Sequence, residues 1–514
     1  MYRKAIASTM PAGRRQPRSV LPRGFVVGLL TIAFASLCHA GEPLATPLEV
    51  VGYSRLSTSA EISAYLAELA RGYPVARVET IGTSVNGRPL EALVLSGEPN
   101  ADVSTADRLT IEIVGAQHGM EGAGSEALLF LARDLVAGRL RHVLDDVDVV
   151  LVPNANPDGR EFDKRLNANR ININVDYVAL TQPESRALVS ALARYEPEVA
   201  LDLHESAVLK KQSLAREGYM TDFTAQFEIA NHPSILPSLR AFALEEVLIP
   251  WIAGVDAAGL PALRYIGEIR SSRQPVTNGG LTLRNFRNRV GIEGKLSFLI
   301  ETRLDPRAGV YSTYRNIRER VAKQQISLER FLTVMHGKQA EALAAVATAR
   351  REGRITPLVL DPQYVGDRHD SPVAIDLRRI SDGELKRIEF ADHRTVSAGP
   401  ALPVPAAYLI RGHQIEFGAL FDQQGIEYRT LDSDRTDWAV EFKADSTARL
   451  NDVQESVTKV RAQPGDLWVD VDQPRGRLAA LLLEPRSTSS LFQTLEFARQ
   501  IEANHTLPVV RIPR

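Results

Sequence analysis

The chain has 514 residues, 44% of them apolar and 24% charged, a balance that excludes a wholly disordered, collagenous or coiled-coil protein. The formal charge of −2 hides an asymmetry, because six of the 61 Lys and Arg residues and none of the 63 Asp and Glu residues fall within residues 1–40. The remainder carries a net charge of −8, which argues against a nucleic-acid partner, since such a surface must offset phosphate charge.

Residues 1–40 read as an export signal. Basic residues from Arg3 to Arg23 precede an uncharged stretch, Phe25 to Leu37, and Cys38-His39-Ala40 puts small residues three and one positions before Gly41. A membrane anchor needs about twenty apolar residues to span the bilayer. Cleavage after Ala40 and a periplasmic or secreted mature chain with no membrane span are therefore expected. Cys38 is the only cysteine, so the mature chain has none. Disulfides and thiolate ligands are excluded, and any metal site must be built from His, Asp and Glu.

Apolar spacing predicts a helix between Glu49 and Arg71. A hairpin follows, with Ala76–Gly82 and Leu90–Leu95 joined through Asn86-Gly87, a strong two-strand turn signal. Leu109–Gly115 is a β-branched strand running into a glycine-bearing loop, with a helix through Ala127–Ala132 beyond it. Val147–Pro153 reads as a buried strand, Pro183–Tyr195 as an amphipathic helix, and Val199–Leu203 and Leu296–Ile300 as two more buried strands. A helical stretch over Tyr314–Arg351 and the linker Glu352-Gly353-Arg354 close this part. Strands alternating with helices predict an α/β catalytic domain over 45–351. Beyond 356 the texture changes to short strands, including Ala406–Ile410, Asp466–Val471 and Leu478–Leu483, which predicts a smaller, mainly β domain over 356–514. Tyr408 and Trp468 are expected in its core.

The informative polar residues sit at strand ends, where open α/β sheets place ligands. His118 and Glu121 follow the strand ending at Gly115. His204 follows Val199–Leu203, and Glu301 follows Leu296–Ile300. Two His and one Glu with an open fourth position make a catalytic zinc shell, and a strand-borne glutamate beside it is a candidate general base.

With these residues in order, the sequence resembles the zinc carboxypeptidases of the carboxypeptidase A type from about 50 to 305. Ile81-Gly82-Thr83-Ser84-Val85-Asn86-Gly87-Arg88 is similar to the family's early hairpin, and His118-Gly119-Met120-Glu121 to its first two ligands. Asn156-Pro157-Asp158-Gly159 matches its Asn-Pro-Asp-Gly turn. Asp202-Leu203-His204 matches the third ligand, and Phe298-Leu299-Ile300-Glu301 the catalytic glutamate. The resemblance implies a mixed-sheet catalytic domain holding one Zn²⁺ per chain through His118, Glu121 and His204. It implies Glu301 as the base, Arg165 as the group that stabilises the oxyanion, and a peptide or peptide-like substrate.

Departures from the family pattern bear on substrate. Asn174 keeps the family's asparagine, but Val175 replaces the arginine that clamps a terminal carboxylate. Asn172 replaces an aspartate that orients a zinc-bound imidazole. The usual tyrosine some twenty residues before the catalytic glutamate is absent, its region reading Asn278-Gly279-Gly280-Leu281-Thr282-Leu283-Arg284-Asn285. Arg284, Arg287 or Arg170 could supply a replacement clamp, Arg284 being the first choice. Asn174 and Arg284 are thus candidate substrate contacts. Besides a carboxypeptidase-like peptidase, two readings stay open: a zinc amidase on blocked or cell-wall-derived amides, and a binding module with a decayed site.

Overall fold

The structure, a computed structural model, describes residues 44–98, 103, 108–209, 212–304, 316–366, 371–397, 399, 401–444, 453–499 and 505–514. The expected export signal, residues 1–40, lies outside the described residues. Among the described residues, the strands of the first part are β1 Ala76–Thr83, β2 Pro89–Leu95, β3 Leu109–Gly115, β4 Val147–Val152, β5 Val199–Ser206, β6 Tyr219–Thr221, β7 Ala225–Ile229, β8 Ala262–Arg264 and β9 Leu296–Arg303. Eight of them form one mixed sheet in the order β1-β2-β4-β3-β5-β9-β7-β8. β4, β3, β5 and β9 run parallel in its centre, while β1, β2 and β7 pair antiparallel. Every residue of β3 and β4 is buried, as the near-continuous apolar sequences require of strands covered on both faces.

Helices cover that sheet. The predicted helix over 49–71 is two, Pro47–Val50 and Ser59–Gly72. Gly52 and Tyr53 adopt left-handed backbone (φ 62° and 61°), and Thr58 starts the second helix with a reciprocal cap on Glu61. The stretch over Tyr314–Arg351 likewise holds two helices, Ile317–Gly337 and Gln339–Glu352. The helix Pro183–Tyr195 has the bounds its periodicity predicts.

Beyond 356, a six-stranded sheet has Ala407–Ile410 and Thr506–Ile512 at its centre. Tyr408 and Trp468 are buried there as expected. One expectation fails: Leu478–Leu483 is no strand but part of a fully buried helix, Gly476–Leu483. Its leucines and alanines are strong helix formers with no β-branched residue among them, and an unbroken apolar run has no period to tell a buried strand from a buried helix.

A single apolar cluster runs from Leu48 through Phe298 and Phe417 to Val509, so the C-terminal residues share a core with the first part. Pro43–Arg514 make one compact unit. Polar bonds reinforce the join. Gln424, at the end of the helix Gln414–Gln424, donates to the carbonyls of Tyr177 and Val178 and accepts from Arg289. Among the described residues, no helix is long and apolar enough to cross a membrane.

Candidate metal centre

β3, β5 and β9 lie side by side and parallel, so their C-terminal ends deliver side chains to one edge of the sheet. After β3 the chain turns sharply through Ala116, whose φ of 56° is rarely adopted by a residue with a Cβ. That turn brings in Gln117, His118 and Glu121. His204 and Glu301 stand opposite each other in the β5/β9 register, which puts both side chains on one face of strands about 4.8 Å apart.

The sequence motifs singled out above are in physical contact. Gly119 lies against the Asn156–Gly159 turn so closely that a Cβ there would sit 2.0 Å from the Gly159 carbonyl carbon and 2.2 Å from the Arg160 nitrogen. No other residue fits without moving backbone. Asn156 caps that turn by accepting from the Gly159 N–H (2.9 Å) and donates to the Gln117 carbonyl (3.1 Å). Asp158 receives Arg88 and the Asn86 N–H, which fastens the early hairpin to the same turn. The hairpin and the turn therefore buttress the loop that carries His118 and Glu121.

Three ligand-type atoms converge. Oε2 of Glu121 is 3.0 Å from His118 Nδ1 and 2.8 Å from His204 Nδ1, and the two Nδ1 atoms are 3.1 Å apart. All three residues are at most 3% exposed. These separations approach the edges, about 3.3 Å, of a tetrahedron with zinc-to-ligand bonds of about 2.0 Å. The far ring nitrogens fix the tautomers. His118 Nε2 donates to Asn172 Oδ1 (3.0 Å) and His204 Nε2 to Asp202 Oδ2 (2.9 Å), so each Nδ1 faces the centre. Two imidazole nitrogens and a carboxylate that converge on one point need a positive centre between them, a proton or a metal ion, and the donor set suits a borderline-soft dication.

The electrostatics agree. Burial opposes charge on His204, but Asp202 and Glu121 outweigh it and hold the ring well above its ordinary pKa. Burial likewise opposes ionisation of Glu121, yet His118 and His204 keep it well below the carboxylate range. His118 is pushed down, by burial first and by its cationic neighbours His204 and Arg165. Glu301 is pushed up to about 7 by burial, with His204 opposing and Glu121 reinforcing.

Other expected site residues are nearby. Arg165 donates from Nη1 to Glu121 Oε1 (2.7 Å), with its side chain 49% exposed. Asn174 is engaged inside the protein, its amide oxygen accepting the Phe286 N–H at 3.2 Å. Arg284 is exposed and reaches the Val175 carbonyl through Nε at 3.5 Å. It also lines a cleft of about 310 Å³ with Asn172, Val175 and Leu495.

Sequence reasoning missed the network behind His204. Gln117 donates to Asp202 Oδ1 (2.6 Å) and accepts from the Tyr177 hydroxyl (2.6 Å). Asp202 was findable, since it lies two residues before His204 on a strand and so shares its face. Gln117 and Tyr177 carried no such signal.

Fold and site together define an α/β protein with a His–Glu–His metal-type centre at the ends of parallel strands. Residues 62–179 match the model of the zinc carboxypeptidase family. Carboxypeptidase 2 of Trichophyton tonsurans is 29% identical over 228 residues, 43% of this chain and 42% of the relative. Carboxypeptidase D of Mus musculus is 38% identical over 113 residues, 18% of this chain and 8% of the relative. The chain thus spans less than half the length of these relatives. Among solved structures, carboxypeptidase A of Helicoverpa armigera aligns at 17% identity with a TM-score of 0.42, covering 58% of this chain and 75% of that one.

Proposed function

We propose that this chain is an exported, zinc-dependent metallopeptidase that hydrolyses amide bonds in peptides in the manner of a carboxypeptidase, with residues 45–351 as the catalytic domain and 356–514 as a β-rich unit joined to it. The observation that carries the reading is the convergence of His118 Nδ1, Glu121 Oε2 and His204 Nδ1 beside Glu301. Those three residues hold the metal. A zinc ion bound there supplies Lewis-acid polarisation and a water acidified to a pKa of about 7. Glu301 takes the proton of the attacking water and passes it to the leaving amine. Burial pushes Glu301 up to about 7 and a cation in the centre favours its ionised form, so activity should rise with pH along an acid limb that lies below that value. Arg165 donates to the developing oxyanion. Asn174 and Arg284 face the substrate's leaving residue.

The test is metal analysis with a cleavage profile. The purified protein should hold about one Zn²⁺ per chain, and chelation should stop hydrolysis. Binding of zinc should release about one proton near neutral pH, because His204 must give up the proton its carboxylate neighbours hold, and calorimetry in buffers of different ionisation enthalpy reads this directly. A metal-free protein that still hydrolyses peptides would sink the reading. Arg165→Ala should keep zinc and lose about 10²–10³ in turnover, the cost of one oxyanion donor; unchanged turnover removes Arg165 from the mechanism.

Val175 favours the amidase as a second reading. Its side chain stands exposed where it offers no cation to a terminal carboxylate. Peptides with free and amidated C-termini, together with peptidoglycan fragments, separate the two. Equal cleavage of free and amidated peptides supports the amidase.

A further inference from the structure

A second cavity, of about 340 Å³, lies at the opposite end of β5 and β9 from His204 and Glu301. Glu196 and the stretch from Ile292 to Lys295 line it, and they immediately precede those two strands. Five residues of β9 separate Leu296 from Glu301, which is about 17 Å of strand. The cavity therefore stands apart from the metal centre. Its other walls are the end of the helix Gln339–Glu352 with Arg350 and Arg354, and the C-terminal residues Arg475 and Arg477. Its volume is that of a small-molecule site.

Its charge is unbalanced. Lys295, Arg350, Arg354, Arg475 and Arg477 face two carboxylates, Glu196 and Glu293. Both carboxylates are already shared: Lys295 and Arg475 each reach both of them at 2.9–3.4 Å, and Glu293 also takes Arg289. Arg477 has no carboxylate partner. It is 8% exposed, donates to the carbonyls of Ser234, Gly353, Thr356 and Pro357, and leaves its buried Nε unbonded. Those carbonyls fix the guanidinium without cancelling its charge, and burial pulls its pKa down to about 10. Arg350 is exposed and makes no hydrogen bond or ion pair among the described residues. It acts through space on Glu198, whose carboxylate already accepts the Thr110 N–H. Arg354 meets Asp472 at 3.4 Å with side chains 63% and 59% exposed, a pair of little strength. The helix end adds about half a negative charge, too little to restore balance.

We infer that this cavity binds the phosphate group of a small ligand, gripped by Arg350 and Arg354 and attracted by the uncancelled charge of Arg477 in the wall. Guanidinium forks fit phosphate oxygens, and a phosphomonoester carries about −1.5 to −2 charges at pH 7, which answers an excess that one carboxylate would leave standing. The walls come from both sides of the linker at 352–354, so a bound ligand ties the C-terminal residues to the starts of β5 and β9. The inference does not depend on the peptidase reading.

Calorimetry on the purified full chain, with its metal, tests the proposal, using glycerol 2-phosphate at ionic strength held constant with sodium chloride. One saturable site per chain is expected. Arg350→Gln should weaken it about ten- to a hundred-fold, the loss of a charge-assisted pair, and Arg354→Gln should do likewise. The probe should raise the melting temperature of the wild type more than that of either variant, because a ligand of the folded state stabilises it by mass action. No saturable binding overturns the proposal. So does affinity unchanged in both variants, which would place the probe elsewhere, the metal centre included. Equal affinity for glutarate also overturns it, since the cavity would then select charge and not phosphate. Inorganic phosphate identifies the source: affinity equal to that of the ester assigns the free ion, and weaker binding assigns an ester whose organic body fills the rest of the cavity.

Discussion

Glu301→Gln should leave the protein folded and zinc-loaded while turnover falls by about 10²–10⁴, the usual contribution of a positioned proton acceptor. The residue lies within β9, two residues before its end, so its backbone is fixed by β5 on one side and β7 on the other. An amide of the same size keeps that placement. It offers no basic oxygen to the attacking water and no proton to the leaving amine. The burial that pushes Glu301 up to about 7 makes the carboxylate a better base than an exposed glutamate, and the variant forfeits this entirely. Metal analysis and kcat on the same preparation decide the matter. Retained zinc with near-normal kcat assigns the proton transfer elsewhere, whereas lost zinc makes Glu301 part of the metal shell.

The second large effect concerns the ligands. His204→Ala should lose most of the metal, because a shell of three protein groups has none to spare, and His118→Ala should do the same. The two variants should differ in stability. Removing the His204 ring strips Asp202 Oδ2 of its partner in a site where both residues are at most 2% exposed, which costs about 1–3 kcal/mol beyond the lost metal. Removing the His118 ring frees only a neutral carboxamide, Asn172, whose oxygen also accepts the Asn174 N–H. Metal content and urea unfolding of both variants test the comparison. Full occupancy in either one rejects its assignment as a ligand.

Much of this centre was legible in the sequence. Val199–Leu203 and Leu296–Ile300 are unbroken apolar runs, and such runs are buried strands whose polar successors must lie at the sheet's edge. His204 and Glu301 follow them directly. The Asn-Pro-Asp-Gly turn and Gly119 were visible as motifs, but their contact was not, because sequence spacing carries no distance between segments forty residues apart. Arg287 looked like any other arginine in a polar stretch; only its burial sets it apart from the exposed Arg284. The run at Leu478–Leu483 was read with the wrong period because it has none. The missing bonds of Gln424 are of the same kind: a glutamine at a helix end carries no mark of the residue it reaches across the core.

That glutamine gives the protein a particular order of completion. Gln424 holds the Tyr177 carbonyl, the Tyr177 hydroxyl holds Gln117, Gln117 holds Asp202, and Asp202 holds the ring of His204. The series begins in the chain's last quarter and ends on a ligand more than two hundred residues earlier. A polypeptide emerging from its N-terminus has all three proposed ligands long before it has the residue that braces this relay, and domains generally fold in the order they emerge. The centre therefore gains its last brace only when nearly the whole chain is present, so a partly made molecule carries the proposed ligands without the rigidity of the finished centre.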